Sequence, residues 1–231
     1  IKTKIGESYM QPVWIEKAVF YHIYPLGLVG APEKNDFWRE PENRITIIKD
    51  WIPYLKELGI NAVYFGPVFE STSHGYDTAD YYNVDRRLGN KDVLRELITD
   101  LHNNGIRVVL DGVFNHTGRD FWAFRELISK GGISQFSEWI KGFSINGRSS
   151  YNDPFVYEGW AGHYNLVKLN PFNPDVVNHL LGAVEMWIDE FDIDGLRLDV
   201  ADCLEPQFMK QLARFCKSKK NDFWLMGEVI H

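Results

Sequence analysis

The stretch Asp194-Gly195-Leu196-Arg197-Leu198-Asp199, followed after a helical segment by Phe223-Trp224-Leu225-Met226-Gly227-Glu228, decides the fold of this chain. Each segment is a short apolar run that ends in a carboxylate, a pattern typical of buried strands in a parallel sheet. We predict a helix over residues 205–217 between the two strands. Because the carboxyl ends of parallel strands meet at one edge of a sheet, Asp199 and Glu228 are expected to lie together there.

Alternation along the first of these strands places Gly195, Arg197 and Asp199 on one face. Two adjacent carboxylates, one a nucleophile and one a general acid, are the groups that cleave a glycosidic bond. We expect Arg197 to lower the pKa of Asp199 and keep it ionised, as a nucleophile requires. Glu228, with apolar neighbours, suits a general acid. Strands about 4.8 Å apart would hold the two carboxyl groups near the ~5–5.5 Å typical of retaining enzymes.

The remaining sequence alternates strand patterns with helical ones. The alternation indicates a parallel α/β sheet, and acids at strand ends favour a (β/α)8 TIM-type barrel. A doubly wound sheet is the alternative, but the first strand–helix turn carries no G-x-G-x-x-G. We predict strands over residues 18–25, 60–67, 106–111, 193–199 and 222–229, and helices over residues 45–58, 91–104, 174–190 and 205–217.

The domain organisation is predicted from the number of strands. Only five strands fit in the 231 residues, whereas a closed barrel has eight, so we predict a barrel truncated after about strand 5. A region without sustained periodicity is predicted to be a subdomain inserted after strand 3. The chain is thereby divided into barrel residues 1–116, the insert 117–172 and barrel residues 173–231, with the remainder of the barrel absent.

Composition restricts the partners and the compartment. A net charge of −7 with no block of like charges argues against nucleic acid, whose phosphates need a basic face, and is compatible with an uncharged sugar. No apolar run approaches the roughly 20 residues that span a bilayer, so no membrane contact is predicted. Cys203 and Cys216 are predicted to be free thiols in the core. With no signal-peptide core visible, a cytoplasmic location is favoured, although the chain begins at Ile1 without a Met and its native N-terminus is expected to be missing. The oligomeric state is not predicted.

Two further motifs follow predicted strands and admit competing interpretations. Asp111-Gly112-Val113-Phe114-Asn115-His116 is either a polar turn capped by its Asp and Asn, part of a catalytic site, or a weak metal site with a single histidine. The segment 74–82 contains Tyr76, whose ring could stack on a sugar or serve only in packing.

Together these motifs resemble the α-amylase family, glycoside hydrolase family 13, over almost the whole chain. Residues 111–116, Gly195-Leu196-Arg197-Leu198-Asp199-Val200-Ala201-Asp202 and Gly227-Glu228-Val229-Ile230-His231 are similar to three of its signatures. Val167-Lys168-Leu169-Asn170 resembles the inserted-domain motif of the neopullulanase and cyclomaltodextrinase branch. The order and spacing of these strings are more specific than any one of them.

The resemblance implies a substrate of the starch or maltooligosaccharide class and a role for each matching residue. Asp199 would be the nucleophile and Glu228 the acid/base. No cofactor is expected to be required; in many relatives the residue at Asn115 helps to bind a structural calcium ion, which this branch often lacks. The substrate-binding residues that the resemblance implies are Tyr76, His116, Arg197, Asp111, Lys168 and His231.

The chain also departs from the family pattern. The fourth signature, with a third carboxylate and a second histidine, follows the seventh strand and has no counterpart in these residues. The resemblance therefore leaves an alternative, a catalytically incomplete fragment that binds glucan or acts as a scaffold. We expect little or no activity from this chain alone.

Overall fold

The computed structural model describes residues 11–229, and its central feature is a five-stranded parallel sheet. Within these residues the strands are β1 (Phe20–Ile23), β2 (Ala62–Phe65), β3 (Phe69–Ser71), β4 (Thr78–Val84), β5 (Arg107–Gly112), β6 (His116–Gly118), β7 (Gly159–Trp160), β8 (His163–Lys168), β9 (Gly195–Leu198) and β10 (Trp224–Gly227). The parallel sheet has the order β1-β2-β5-β9-β10. All five of its strands overlap the ranges predicted from sequence, so the predicted parallel α/β sheet is confirmed.

Helices connect the parallel strands. They are α1 (Pro25–Leu28), α2 (Ile52–Glu57), α3 (Lys91–Asn103), α4 (Trp122–Ser129), α5 (Pro174–Phe191) and α6 (Pro206–Lys219), with 3-10 helices at Val13–Lys17, Arg44–Trp51, Gln135–Trp139 and Ala201–Cys203. Among the described residues, none of these helices is both long and apolar enough to cross a bilayer.

The local sequence explains how the longer helices begin. Asn90 caps α3 by accepting a hydrogen bond from the backbone N–H of Val93, and Asn173 caps α5 by accepting one from Asp175. Pro174 occupies the first turn of α5, as predicted, where its missing N–H has no cost. The α3 side chains that recur at helical spacing are buried beneath the sheet: Val93, Leu94, Leu97, Ile98 and Leu101.

The helix predicted over residues 45–58 is only partly correct. Its first half is the 3-10 helix Arg44–Trp51, and α2 begins at Ile52. Pro53 accounts for the break, because a proline inside a continuous α-helix cannot donate to the carbonyl four residues earlier. In the observed arrangement Pro53 lies in the first turn of α2.

Two small antiparallel sheets lie outside the parallel one and were not predicted. β3 and β4 form a hairpin that follows β2. Residues 116–172 contain α4 and a three-stranded sheet in the order β6-β8-β7, in which His116 pairs with Lys168, so the sheet begins one residue before the predicted insert. This sheet brings the insert next to the end of β5.

The start of β9 is fixed by a buried carboxylate, Asp194. It accepts hydrogen bonds from the Val108 N–H at 2.8 Å, from His102 Nε2 at 2.8 Å and from Arg107 at 2.6 Å. Burial alone would raise the pKa of Asp194, but these hydrogen bonds outweigh burial and hold the pKa well below its ordinary value. The strand that carries Arg197 is therefore anchored at the edge of the sheet opposite the candidate site.

Both cysteines are free, as predicted. Cys216 is buried, but Cys203 is exposed, so the prediction that both fill the core is wrong for Cys203. Cys203 lies in the short 3-10 helix that follows β9, where the chain leaves the sheet and reaches the surface.

Candidate active site

The two candidate catalytic carboxylates lie together at one edge of the parallel sheet. Asp199 directly follows β9 and Glu228 directly follows β10, and the two strands are paired in register. Arg197 binds both: its Nη1 is 2.9 Å from Asp199 Oδ1 and its Nη2 is 2.6 Å from Glu228 Oε1. The sequence-based expectation that two acids meet beside a guanidinium group agrees with this geometry.

A third carboxylate, Asp111, completes the cluster from the neighbouring strand. Asp111 is the register partner of Arg197 across β5 and β9, and Arg197 Nη1 donates to both of its oxygens, at 2.9 and 3.1 Å. The Tyr64 hydroxyl on β2 donates to Asp111 Oδ2 at 2.6 Å. One guanidinium group thus binds three carboxylates.

The pKa of Asp199 differs from the sequence-based expectation. Burial, with the nearby negative charge of Asp111, raises the pKa of Asp199 to about 7, although Arg197 acts in the opposite direction. Arg197 does lower this pKa, as expected, but burial and the Asp111 charge outweigh it, so the expectation that Arg197 keeps the pKa of Asp199 low is wrong. The physical reason is that Arg197 shares its charge among three acids, while Asp199 is only 5% exposed and is poorly solvated.

The backbone after Asp199 adopts an unusual conformation that links the two acids. Val200 has φ 41° and ψ 52°, in the left-handed region that a β-branched residue rarely adopts. In this conformation its N–H donates to Glu228 Oε2 at 3.0 Å, and the Ala201 N–H donates to the Glu228 carbonyl at 2.9 Å. Backbone strain at Val200 therefore coincides with direct hydrogen bonding to the Glu228 carboxylate, as is common at functional sites.

His116 is a buried neutral imidazole beside Asp199. Its Nε2 is 3.9 Å from Asp199 Oδ2 and has no hydrogen-bond partner among the described residues. Burial lowers the pKa of His116 to about 4, although the Tyr76 backbone opposes the shift. The amide nitrogen of Asn115 lies 3.1 Å from Nδ1. Since an amide NH2 group only donates, Nδ1 accepts, and Nε2 carries the proton that it can offer to a ligand.

The other predicted binding residues are placed as follows. Tyr76 is half-buried near Tyr64 and Asp111, and burial followed by the Asp111 charge raises its pKa. Lys168 is half-buried, with its Nζ 3.5 Å from Glu158 Oε2. His231 lies outside the described residues.

Two aromatic residues near the cluster were missed by the sequence analysis. Trp160, at the turn between β7 and β8, stacks on His116 with ring centroids 5.6 Å apart. The sequence feature that could have found Trp160 is the Ala161-Gly162 pair that follows it. Both residues have positive φ and together form a tight hairpin turn. Tyr64 could have been found by alternation along the second strand, which places Ala62 and Tyr64 on one face.

Asn115 is the residue that the calcium expectation concerns. Its amide nitrogen contacts His116, so its amide oxygen is the atom that calcium, which takes about six to eight oxygen ligands, would bind. Within residues 11–229 no three His, Cys, Asp or Glu side chains converge in a way that could hold a metal ion. The interpretation of Asp111 and His116 as a metal pair likewise does not fit, since Asp111 binds Arg197 and Tyr64 instead.

Comparisons with known proteins agree with this geometry. The family model described as alpha amylase, catalytic domain, matches residues 45–231. The chain therefore belongs to the α-amylase family, glycoside hydrolase family 13, whose catalytic domain has the TIM-barrel fold. It is 36% identical to a cyclomaltodextrinase of a Bacillus species, over 97% of this chain and 43% of the relative, and 36% identical to a maltogenic alpha-amylase of Bacillus acidopullulyticus, over 98% and 41%.

Solved structures give the same family. A cyclomaltodextrinase superposes with a TM-score of 0.83 and 35% identity, covering 96% of this chain and 40% of the other. The cyclic alpha-maltosyl-(1→6)-maltose hydrolase of Arthrobacter globiformis superposes with a TM-score of 0.82 and 29% identity, covering 96% and 53%. The chain thus spans about half, or less, of the length of these relatives.

Proposed function

We propose that the protein carrying this chain hydrolyses α-glucosidic bonds in maltooligosaccharides or starch-type α-glucans by retaining double displacement. The observation that supports this proposal best is the shared guanidinium group: Asp199 and Glu228 lie 2.9 and 2.6 Å from the two terminal nitrogens of Arg197. A retaining enzyme needs its two carboxyl groups only about 5–5.5 Å apart, and binding to one guanidinium favours such proximity over the wider inverting gap.

The two acids have complementary roles in this mechanism. In the first step an oxygen of ionised Asp199 bonds to the anomeric carbon, the glycosidic bond breaks, and the proton of Glu228 passes to the departing oxygen. In the second step Glu228 takes a proton from water as that water attacks the anomeric carbon, and Asp199 leaves with its electron pair. Arg197 orients both carboxylates throughout.

The aromatic and polar side chains around the acids suit an uncharged sugar. The His116 Nε2–H has no partner within the described residues and can donate to a sugar hydroxyl. The rings of Tyr76 and Trp160 approach the same region and can pack against the apolar face of a pyranose. The relatives' names, cyclomaltodextrinase and maltogenic alpha-amylase, support an α-glucan as the substrate class.

The test measures turnover and product configuration in the protein that carries this chain. Asp199→Asn and Glu228→Gln are each expected to lower kcat/KM on maltotriose by about a thousandfold or more. Proton NMR during the first minutes is expected to show the α-anomer as the initial product. Asp222→Asn, which removes a carboxylate just before β10 at its other end, serves as the matched control and should retain activity.

Two results would contradict the proposal. An initial β-anomer would show inversion, and substantial activity in Asp199→Asn would show that another group is the nucleophile. If binding of maltotriose persists in a protein that shows no turnover, the alternative of a catalytically incomplete glucan-binding or scaffold fragment is supported.

We propose further that the reaction needs no metal ion. The chemistry assigned to Asp199 and Glu228 requires proton and glycosyl transfer only, with no Lewis acid. Treatment with EDTA is expected to leave kcat/KM and the melting temperature unchanged. A fall in both that added Ca²⁺ reverses would establish a structural calcium site instead.

A further inference from the structure

His22, on the first strand of the sheet, makes an aromatic contact that the proposed mechanism does not use. It is the register partner of Tyr64 across β1 and β2. The two rings are nearly parallel, at an interplanar angle of 11°, with their centroids 4.4 Å apart. This is a close face-to-face arrangement, although the imidazole belongs to an exposed residue.

Tyr64 connects this stack to the carboxylate cluster. Its hydroxyl donates to Asp111 Oδ2 at 2.6 Å, and the Arg197 guanidinium lies 5.8 Å from its ring centroid. The Tyr64 phenol is thus held through its ring by His22 and through its hydroxyl by Asp111. Asp111 in turn provides the nearby negative charge that opposes ionisation of Asp199.

We propose that His22 is a positioning residue: it holds the Tyr64 phenol against Asp111 and thereby fixes the charge balance around Asp199. The catalytic consequence rests on the proposed function, but the effect on the carboxylates does not. A flat ring packed on one face of a phenol restricts its rotation. Without it, Tyr64 can turn away, which leaves Tyr76 as the neutral side chain that still hydrogen-bonds to Asp111.

The charged groups around His22 favour its neutral form. The charge of Arg197 acts on His22, and the acids Asp111, Asp199 and Glu228 are all paired with that guanidinium. Burial and then the charge of Arg197 lower the pKa of His22, so the ring stacks as an uncharged imidazole at neutral pH. A phenylalanine should therefore serve in its place, whereas an alanine should not.

The direction of the effect on Asp199 follows from the hydrogen bond. Burial raises the pKa of Asp111, and the Tyr64 hydroxyl, like Arg197, opposes this rise by stabilising the ionised form. Losing that hydroxyl makes Asp111 easier to protonate, which weakens the repulsion on Asp199. Removing the His22 ring is thus expected to lower the pKa of Asp199.

The experiment is a pH titration of aspartate side-chain carboxyl groups by ¹³C NMR, in the protein that carries this chain and without substrate. The Asp199 resonance is assigned by its loss in Asp199→Asn. In His22→Ala its midpoint should fall by about half a pH unit or more, while in His22→Phe it should stay at the wild-type value. Tyr21→Ala is the matched control, because Tyr21 is on the same strand but contacts Trp51, on the other face of the sheet. It should leave the midpoint unchanged even if it lowers stability.

A double-mutant cycle tests the route through Tyr64. If His22 acts by holding Tyr64, then His22→Ala should have no further effect on the Asp199 midpoint in a Tyr64→Phe background. An unchanged midpoint in His22→Ala, an equal shift in Tyr21→Ala, or full additivity with Tyr64→Phe would each overturn the proposal. Because no substrate enters the titration, failure of the proposed hydrolysis would leave this result interpretable.

Discussion

Arg197 is the residue on which the candidate site depends. Its guanidinium group binds Asp111, Asp199 and Glu228, which come from three adjacent strands or their ends. A single cation cannot neutralise three acids, and this imbalance adds to burial, the main cause, in raising the pKa of Asp199. Two predictions follow from this charge distribution, one on activity and one on stability.

The first prediction concerns the acidic limb of the pH–activity profile. Asp199 must be ionised to act, and its pKa is raised to about 7, so kcat/KM should fall as the pH drops through about 7. Asp111→Asn removes the nearby negative charge that helps to raise this pKa. The acidic limb should then move to lower pH, even though the maximal rate falls. A pH series of kcat/KM for both proteins checks this, and an acidic limb that does not move would contradict the assigned cause.

The second prediction concerns stability. The folded-state pKa of Asp199 lies above the unfolded value of 3.8, so the folded protein binds the proton more tightly and its stability falls as the pH rises from about 4 to 7. A pKa shift of this size lowers the free energy of unfolding by on the order of 4 kcal/mol once the pH exceeds about 7. Asp199→Asn should therefore melt at a higher temperature than wild type at pH 8, and the difference should shrink toward pH 4. Thermal denaturation at both pH values measures it. A variant that is less stable than wild type at pH 8 would show that the Arg197 pairing dominates.

Among the described elements, the β7–β8 hairpin carries an aromatic ring from the insert toward the candidate catalytic acids. Trp160 at its tip packs on His116, which in turn lies 3.9 Å from Asp199. The close pairing of the two strands depends on Gly159. A Cβ at this position would lie 2.6 Å from the carbonyl oxygen of His163, which is backbone and cannot move aside independently.

A glycine pair in this hairpin provides the third prediction. Gly159→Ala should separate β7 from β8, destabilise the insert and move Trp160 off His116. Gly162→Ala is the control: a Cβ there meets nothing within 4 Å, and its cost is the φ of +82°, about 1–2 kcal/mol. Thermal denaturation should show a larger loss for Gly159→Ala, together with a larger loss of kcat/KM. Equal effects of the two substitutions would contradict this steric argument.

The parallel strands and their terminal acids were predictable from sequence, but the details of the site were not. Asp199 and Glu228 were predictable because each directly follows an apolar run that a few consecutive residues suffice to define. The approach of Asp111 to Arg197 depends on the register between β5 and β9, which no local pattern specifies.

The left-handed backbone at Val200 contradicts local preference and is imposed by the contacts to Glu228. The β3–β4 hairpin was missed because Glu70 and Asp80, which pair in it, interrupt the apolar alternation.

At the scale of the whole molecule, the parallel sheet is open within residues 11–229. β1 pairs only with β2 and β10 only with β9. Open edges of this kind present unpaired backbone groups and promote association between chains. The edge next to β10 is also the one beside Glu228, so the environment of a candidate catalytic group depends on what lies there.

The fourth prediction follows for a polypeptide of these 231 residues expressed alone. It should self-associate as its concentration rises and should show no measurable turnover of maltotriose. Light scattering across a concentration series and a reducing-sugar assay measure the two properties. A stable monomer that hydrolyses maltotriose would show that the five-stranded sheet is sufficient for both folding and catalysis.

The three acids gathered on one guanidinium have a consequence for selectivity. When all of them are ionised, this end of the sheet carries more negative than positive charge, and the partly buried setting screens it poorly. On the proposed function, a sugar that bears a phosphate ester or a uronic acid group would be repelled at this end of the sheet.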